Sequence, residues 1–195
     1  MSEQWSDPFA DPAGWGAEPP PAVVARPAAG QRALRGRRVL TGLPGHGWRG
    51  DLRADDPVVQ GSRTLVPVLP EAEWYRAEAE RVEVFAPLVP VDRVWVETVA
   101  DAAAAVPVSK LVSLDHPAPR PPVPVLDAGS VTGRRLAWRD GDRVARDLRA
   151  VSELHEGADG EVCVRVAAEL EWYRWAWSGK PPRTRALPVA TLWLE

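Results

Sequence analysis

Apolar and polar positions alternate over the stretch from Glu161 to Trp177. Val162, Val164, Val166, Ala168, Leu170 and Trp172 fall on one face at period two, with Arg165, Glu169, Glu171 and Tyr173 on the other. This spacing predicts a long, half-buried β-strand, since successive strand residues point to opposite sides of a sheet. Glutamate and alanine also favour helix, so a helix over 161 to 177 is the competing reading. The same alternation predicts a strand from Thr64 to Ala77. Shorter strands are expected at Arg37 to Thr41, Trp48 to Ala54 and Arg93 to Glu97, with Thr191 to Glu195 matching the last of these.

The two long stretches are related. Glu71-Ala72-Glu73-Trp74-Tyr75-Arg76 recurs as Glu169-Leu170-Glu171-Trp172-Tyr173-Arg174, and Tyr75 and Tyr173 are the only tyrosines. The correspondence continues on both sides. Gly36-Arg37-Arg38 matches Gly133-Arg134-Arg135, Asp51-Leu52-Arg53-Ala54 matches Asp147-Leu148-Arg149-Ala150, and Pro90-Val91, Trp95 and Glu97 match Pro188-Val189, Trp193 and Glu195. The register changes at two places, between Thr41 and Gly47 and again after Asp55. Both are rich in turn residues, where insertions are tolerated.

The pattern predicts a mostly β protein made by tandem duplication of an antiparallel unit of about 64 residues, Leu34 to Glu97 and its repeat. Four or five short strands with glycine-marked turns suit either two SH3-like small barrels or one pseudo-two-fold β-sandwich. The expected division is a disordered proline- and alanine-rich arm over 1–32, a first β repeat over 33–97, a connector over 98–130 and a second β repeat over 131–195. In the connector, Val106 to Leu114 reads as an extra strand and Pro117 to Pro124 as an extended spacer.

Charge narrows the function classes. Acidic residues number 27 and basic residues 24, for a formal charge of -3, so no general attraction to nucleic acid or an anionic membrane is expected. Lys110 and Lys180 are the only lysines; the remaining basic residues are arginine, a bias suggesting a GC-rich bacterial genome. Cys163 is alone, which excludes an intramolecular disulfide and a cysteine-rich zinc site. Met1 to Gly16 has neither a basic start nor a long apolar run, so a cytoplasmic location is the expectation.

On a strand, Glu71 and Glu73, like Glu169 and Glu171, would share a solvent face about 6.5 to 7 Å apart. Such a pair could do acid–base work at a cleft between the repeats, gripping a small ligand with Arg76 and Arg174. No matching histidine or further metal ligand completes such a site; the glutamates are more simply paired with arginines on neighbouring strands, and the repeated Asp51, Asp147, Arg53, Arg76, Arg149 and Arg174 read as structural ion pairs between strands, for example Asp51 with Arg76. Trp74, Trp95, Trp172 and Trp193 read as core. His46, His116 and His155 read as loop residues, and Cys163 as a strand residue.

The repeats disagree just after the shared hexapeptide. Tyr173, Trp175 and Trp177 would form an aromatic stripe where the first repeat has Ala77 and Ala79. That stripe could seal the repeats together, meet a partner protein or stack on sugars or bases. Trp5, Phe9 and Trp15, set among Asp7, Asp11 and Glu18, are further contact candidates. The expected function is therefore binding of an unknown protein partner without a cofactor, metal or catalytic residue. A small-molecule binder or enzyme using the paired glutamates is the alternative.

Overall fold

Proline sets the first departure from the long-strand expectation. In the computed structural model, which describes residues 18–43, 45–100 and 116–195, the strand that begins at Arg63 ends at Pro70, and Glu71–Glu80 is an α-helix. Pro70 lacks the N–H that would extend the ladder, and its φ of -54° suits the entry to a helix. Glu71 and Glu73 then lie in the first turn, where carboxylates favour the positive end of the helix dipole. Likewise Val162–Ala168 is a strand and Glu169–Ser178 a helix. The long strands over Thr64 to Ala77 and Glu161 to Trp177 are thus corrected to strand followed by helix. Glutamate, alanine, leucine and arginine propensity prevails once the valine run ends.

The chain divides into two compact units, the first holding Pro21–Pro121 with Leu170–Pro182, and the second Pro122–Glu169 with Arg183–Glu195 and, of the described N-terminal residues, 18–20. Strands β1 (Val23–Pro27), β2 (Arg38–Leu43), β3 (Gly47–Ala54), β4 (Val58–Gln60), β5 (Arg63–Pro70), helix α1 (Glu71–Glu80), β6 (Leu88–Pro90) and β7 (Val94–Val99) belong to the first. They form a curled antiparallel sheet in the order β1-β7-β2-β3-β5-β4, with β6 also pairing β5. Its core gathers Ala28, Leu34, Val39, Leu52, Ala54, Val66, Val68, Val94 and Val96.

The second unit's sheet is built from β8 (Val123–Pro124), β9 (Arg135–Asp140), β10 (Arg143–Ala150), β11 (His155–Glu156), β12 (Val162–Ala168), β13 (Arg185–Pro188) and β14 (Leu192–Leu194). Between β12 and β13 runs helix α2 (Glu169–Ser178), whose residues from Leu170 onward count with the first unit. The sheet order β11-β12-β10-β9-β14-β8, with β13 on β12, is the first unit's order read from the other end. Val125, Val131, Leu136, Ala150, Val164, Val166, Leu192 and Leu194 form its core with Leu187 and Val189. Each sheet is a half-barrel, and the fold is mostly β.

Matching irregularities accompany the matching order. The β2–β3 and β9–β10 ladders each shift register, and beside each shift an aspartate, Asp51 or Asp147, takes a positive φ of 54° or 59°. Aspartate reaches this left-handed region at lower cost than most side chains, and such bulges tighten the twist that curls a sheet.

The N-terminal expectation changes as well. Val23–Pro27 is paired with β7, and Ala28 is buried in the core, so the expected arm is ordered from Val23 to Ala28. Pro124 meets Trp193 in β14 as Pro27 meets Trp95 in β7. The expected extra strand at Val106 to Leu114, and Trp5, Phe9 and Trp15, lie outside the described residues.

Candidate functional site

A helix places side chains four apart on one face, so Glu71 and Tyr75 point the same way from α1. Both meet Arg53 of β3. The Arg53 Nε donates to Glu71 Oε1 at 3.1 Å, its Nη2 to the Tyr75 hydroxyl at 2.6 Å, and its Nη1 to the Gly36 carbonyl at 2.8 Å. Arg38 of β2 donates from Nε to the same Glu71 oxygen at 3.1 Å. The second Glu71 oxygen accepts from the Tyr173 hydroxyl at 3.0 Å. Tyr75 and Tyr173 stack with centroids 5.3 Å apart, so α1 and the Leu170–Pro182 segment are held together inside the first unit.

Glu71 is only 1% exposed, and a buried carboxylate persists where its charge is matched and its lone pairs are filled. Two guanidiniums and a phenol do this. In the second unit Glu169, also 1% exposed, accepts from Arg149 Nε at 2.8 Å and Arg135 Nε at 3.4 Å, while Arg149 Nη1 donates to the Gly133 carbonyl at 3.1 Å. Each unit thus contains an arginine–glutamate–arginine cluster under the first turn of a helix.

These positions correct the expected geometry. Glu71 and Glu73 do not share a solvent face: Glu71 is buried and Glu73 exposed, because a two-residue step turns about 200° on a helix. Glu169 is likewise buried, with Glu171 half-buried and 3.8 Å from Arg174. Arg76 bonds Glu80 at 3.1 Å, one turn along α1, in place of the expected Asp51 pair. Tyr173, Trp175 and Trp177 form no single stripe, because on α2 Trp175 turns away from the face that Tyr173 and Trp177 share. Tyr173 is buried, Trp177 half-buried and Trp175 40% exposed. Trp193 is buried, whereas Trp74, Trp95 and Trp172 are half-buried. Trp95 packs edge-on to Trp48 at 5.7 Å and lies 5.0 Å from the His116 ring.

The first unit carries an open groove of about 780 Å³ alongside α1. Leu69, Trp74, Val82, Val84, Phe85 and Leu88 supply apolar lining, and Arg35, Glu78, Arg81 and Glu83 supply charge. Arg35 bonds Glu78 at 2.8 Å and lies 5.8 Å above the Trp74 ring. Phe85 is 92% exposed. The run Val82-Glu83-Val84-Phe85 was not singled out from sequence, although Lys180-Pro181-Pro182-Arg183 stands at the corresponding distance from the second hexapeptide. That contrast was the available signal.

Two isolated groups have altered proton affinity. Glu153 is held down to about 2 by hydrogen bonds from the Ser130 hydroxyl and from the Val131 and Thr132 amides. Burial, with Glu161 and Asp159 nearby, pushes the Cys163 thiol up. Among the described residues, no group of three or more histidine, cysteine or acidic side chains is set to hold a metal ion, and no helix is long and apolar enough to cross a membrane. Comparison with protein-family models, curated proteins and solved structures finds no match.

Proposed function

We propose that the chain is a bacterial, cytoplasmic binding protein without catalytic activity, built from two SH3-like half-barrels that arose by duplication, and that it engages a partner protein. The exposed Phe85 beside the apolar groove of the first unit carries this reading. An aromatic ring left almost wholly in water next to Val82, Val84 and Leu88 costs solubility unless a partner covers it. Trp175, exposed on α2 in the same unit, is the second contact residue. Duplication is supported by the shared strand order and by paired core positions such as Val66 with Val164 and Val96 with Leu194.

The paired-glutamate enzyme is the weaker reading. Both oxygens of Glu71 are engaged by side chains of its own unit, and Glu73 lies on another face of α1, so the pair does not converge on a substrate.

A photo-crosslinking residue placed at Phe85 tests the proposal in the producing cell. It should capture one protein, with capture lost on replacing Leu88 and Trp175 by alanine while thermal stability is kept. The same crosslinker at exposed Asp142 is the control; equal capture from both positions, or none from either, refutes the reading.

A further inference from the structure

The second unit has a groove of its own, of about 350 Å³, floored by Trp138, Leu148, Val166 and Leu187 and edged by Arg183 and Arg185. The Arg185 guanidinium lies 5.8 Å above the Trp138 ring, and no ion pair to it is found among the described residues. An aromatic surface beside an arginine suits an apolar or aromatic side chain accompanied by a carboxylate.

Glu18 lies close by. Arg139, next to Trp138 on β9, donates from Nη2 to Glu18 Oε2 at 2.5 Å and from Nη1 to the Pro19 carbonyl at 2.8 Å. The seventeen residues before Glu18 contain Glu3, Asp7 and Asp11, no lysine or arginine, and the aromatics Trp5, Phe9 and Trp15. Their charge is opposite to that of the groove's edge. Adjacent strand residues face opposite ways, so a chain leaving Arg139 must round the sheet to reach Trp138's side. The nine peptide steps from Phe9 to Glu18 extend to about 30 Å and the seven from Asp11 to about 24 Å, ample for that path.

We propose that the acidic, aromatic stretch Phe9-Ala10-Asp11 of this same chain docks in the Trp138–Arg185 groove, the Phe9 ring entering it and Asp11 facing Arg185. The contact is independent of the partner site proposed on the first unit. Its consequence is a built-in occupant: a competing acidic, aromatic ligand of the second unit must displace the chain's own N-terminal segment.

A nitroxide attached through Ser6→Cys, in a full-length Cys163→Ala background, tests this by paramagnetic broadening of backbone amides. The amides of Val166, Ala167, Arg185 and Leu187 should broaden. Arg185→Glu should cut that broadening about tenfold, the effect of losing one charge-assisted contact. Asp11→Arg should act alike, and combining the two should restore the effect. If Arg185→Glu disturbs the rest of the spectrum, Asp11→Arg alone must still reduce the broadening. No broadening overturns the proposal. So does broadening that appears only between labelled and isotope-enriched chains in a mixed sample, which assigns the groove to a second copy.

Discussion

The Tyr173 hydroxyl donates to Glu71 over 3.0 Å, joining residues 102 positions apart within the first unit. Glu71 also accepts from Arg38 and Arg53, and Arg53 reaches Tyr75, on which Tyr173 stacks. One buried carboxylate therefore links two strands and two helical segments.

Tyr173→Phe keeps the stacked ring and removes the donor. Unfolding in urea should show a loss of about 1–3 kcal/mol, the usual cost of leaving a buried acceptor short of a partner. Glu71→Ala should cost more, about 3–5 kcal/mol, because two largely buried guanidiniums lose their counter-charge. Equal, small effects from both substitutions would mean that the cluster is open to water.

The two helices end differently. Arg81 follows α1 with a φ of 54°, whereas Gly179 follows α2 with a φ of 68°. A side chain in the left-handed region costs about 1–2 kcal/mol that glycine avoids. Arg81→Gly should therefore raise the melting temperature and Gly179→Ala lower it. The second effect is conformational, since nothing lies within 4 Å of a Cβ built at Gly179.

Glu153 ties Ser130 and the start of the second unit's core segment to the loop after β10. Its folded pKa of about 2 lies below the ordinary 4.5, so its stabilising contribution is fully present above about pH 4.5 and is lost as pH falls toward 2. Glu153→Gln should be less stable than the parent near neutrality, and the gap should close through that acidic window. A gap independent of pH would assign the effect to shape, not charge.

Cys163 is buried on β12, and burial disfavours its thiolate. Its reaction with a water-soluble thiol reagent near pH 8 should follow unfolding, rising steeply with urea. Fast labelling of the native protein would contradict the burial.

The repeated pattern, the valine strands and the glycine-marked turns are legible in the residues, because period-two alternation and turn composition are local signals. Val164 and Val166 face the core as the alternation requires. Glu71 and Tyr75, like Glu169 and Tyr173, are four apart, a spacing that puts them on one face of a strand and of a helix alike, about 13 Å apart on the strand but one turn apart on the helix. Over Glu-x-Glu-Trp-Tyr-Arg the local alternation favours strand over helix, and the packed structure decides for helix. Only on a helix can Glu71 and Tyr75 together meet Arg53. Which arginines converge on a buried carboxylate, that Tyr173 reaches Glu71, and that Phe85 stays in water depend on contacts distant in sequence, which local pattern does not encode.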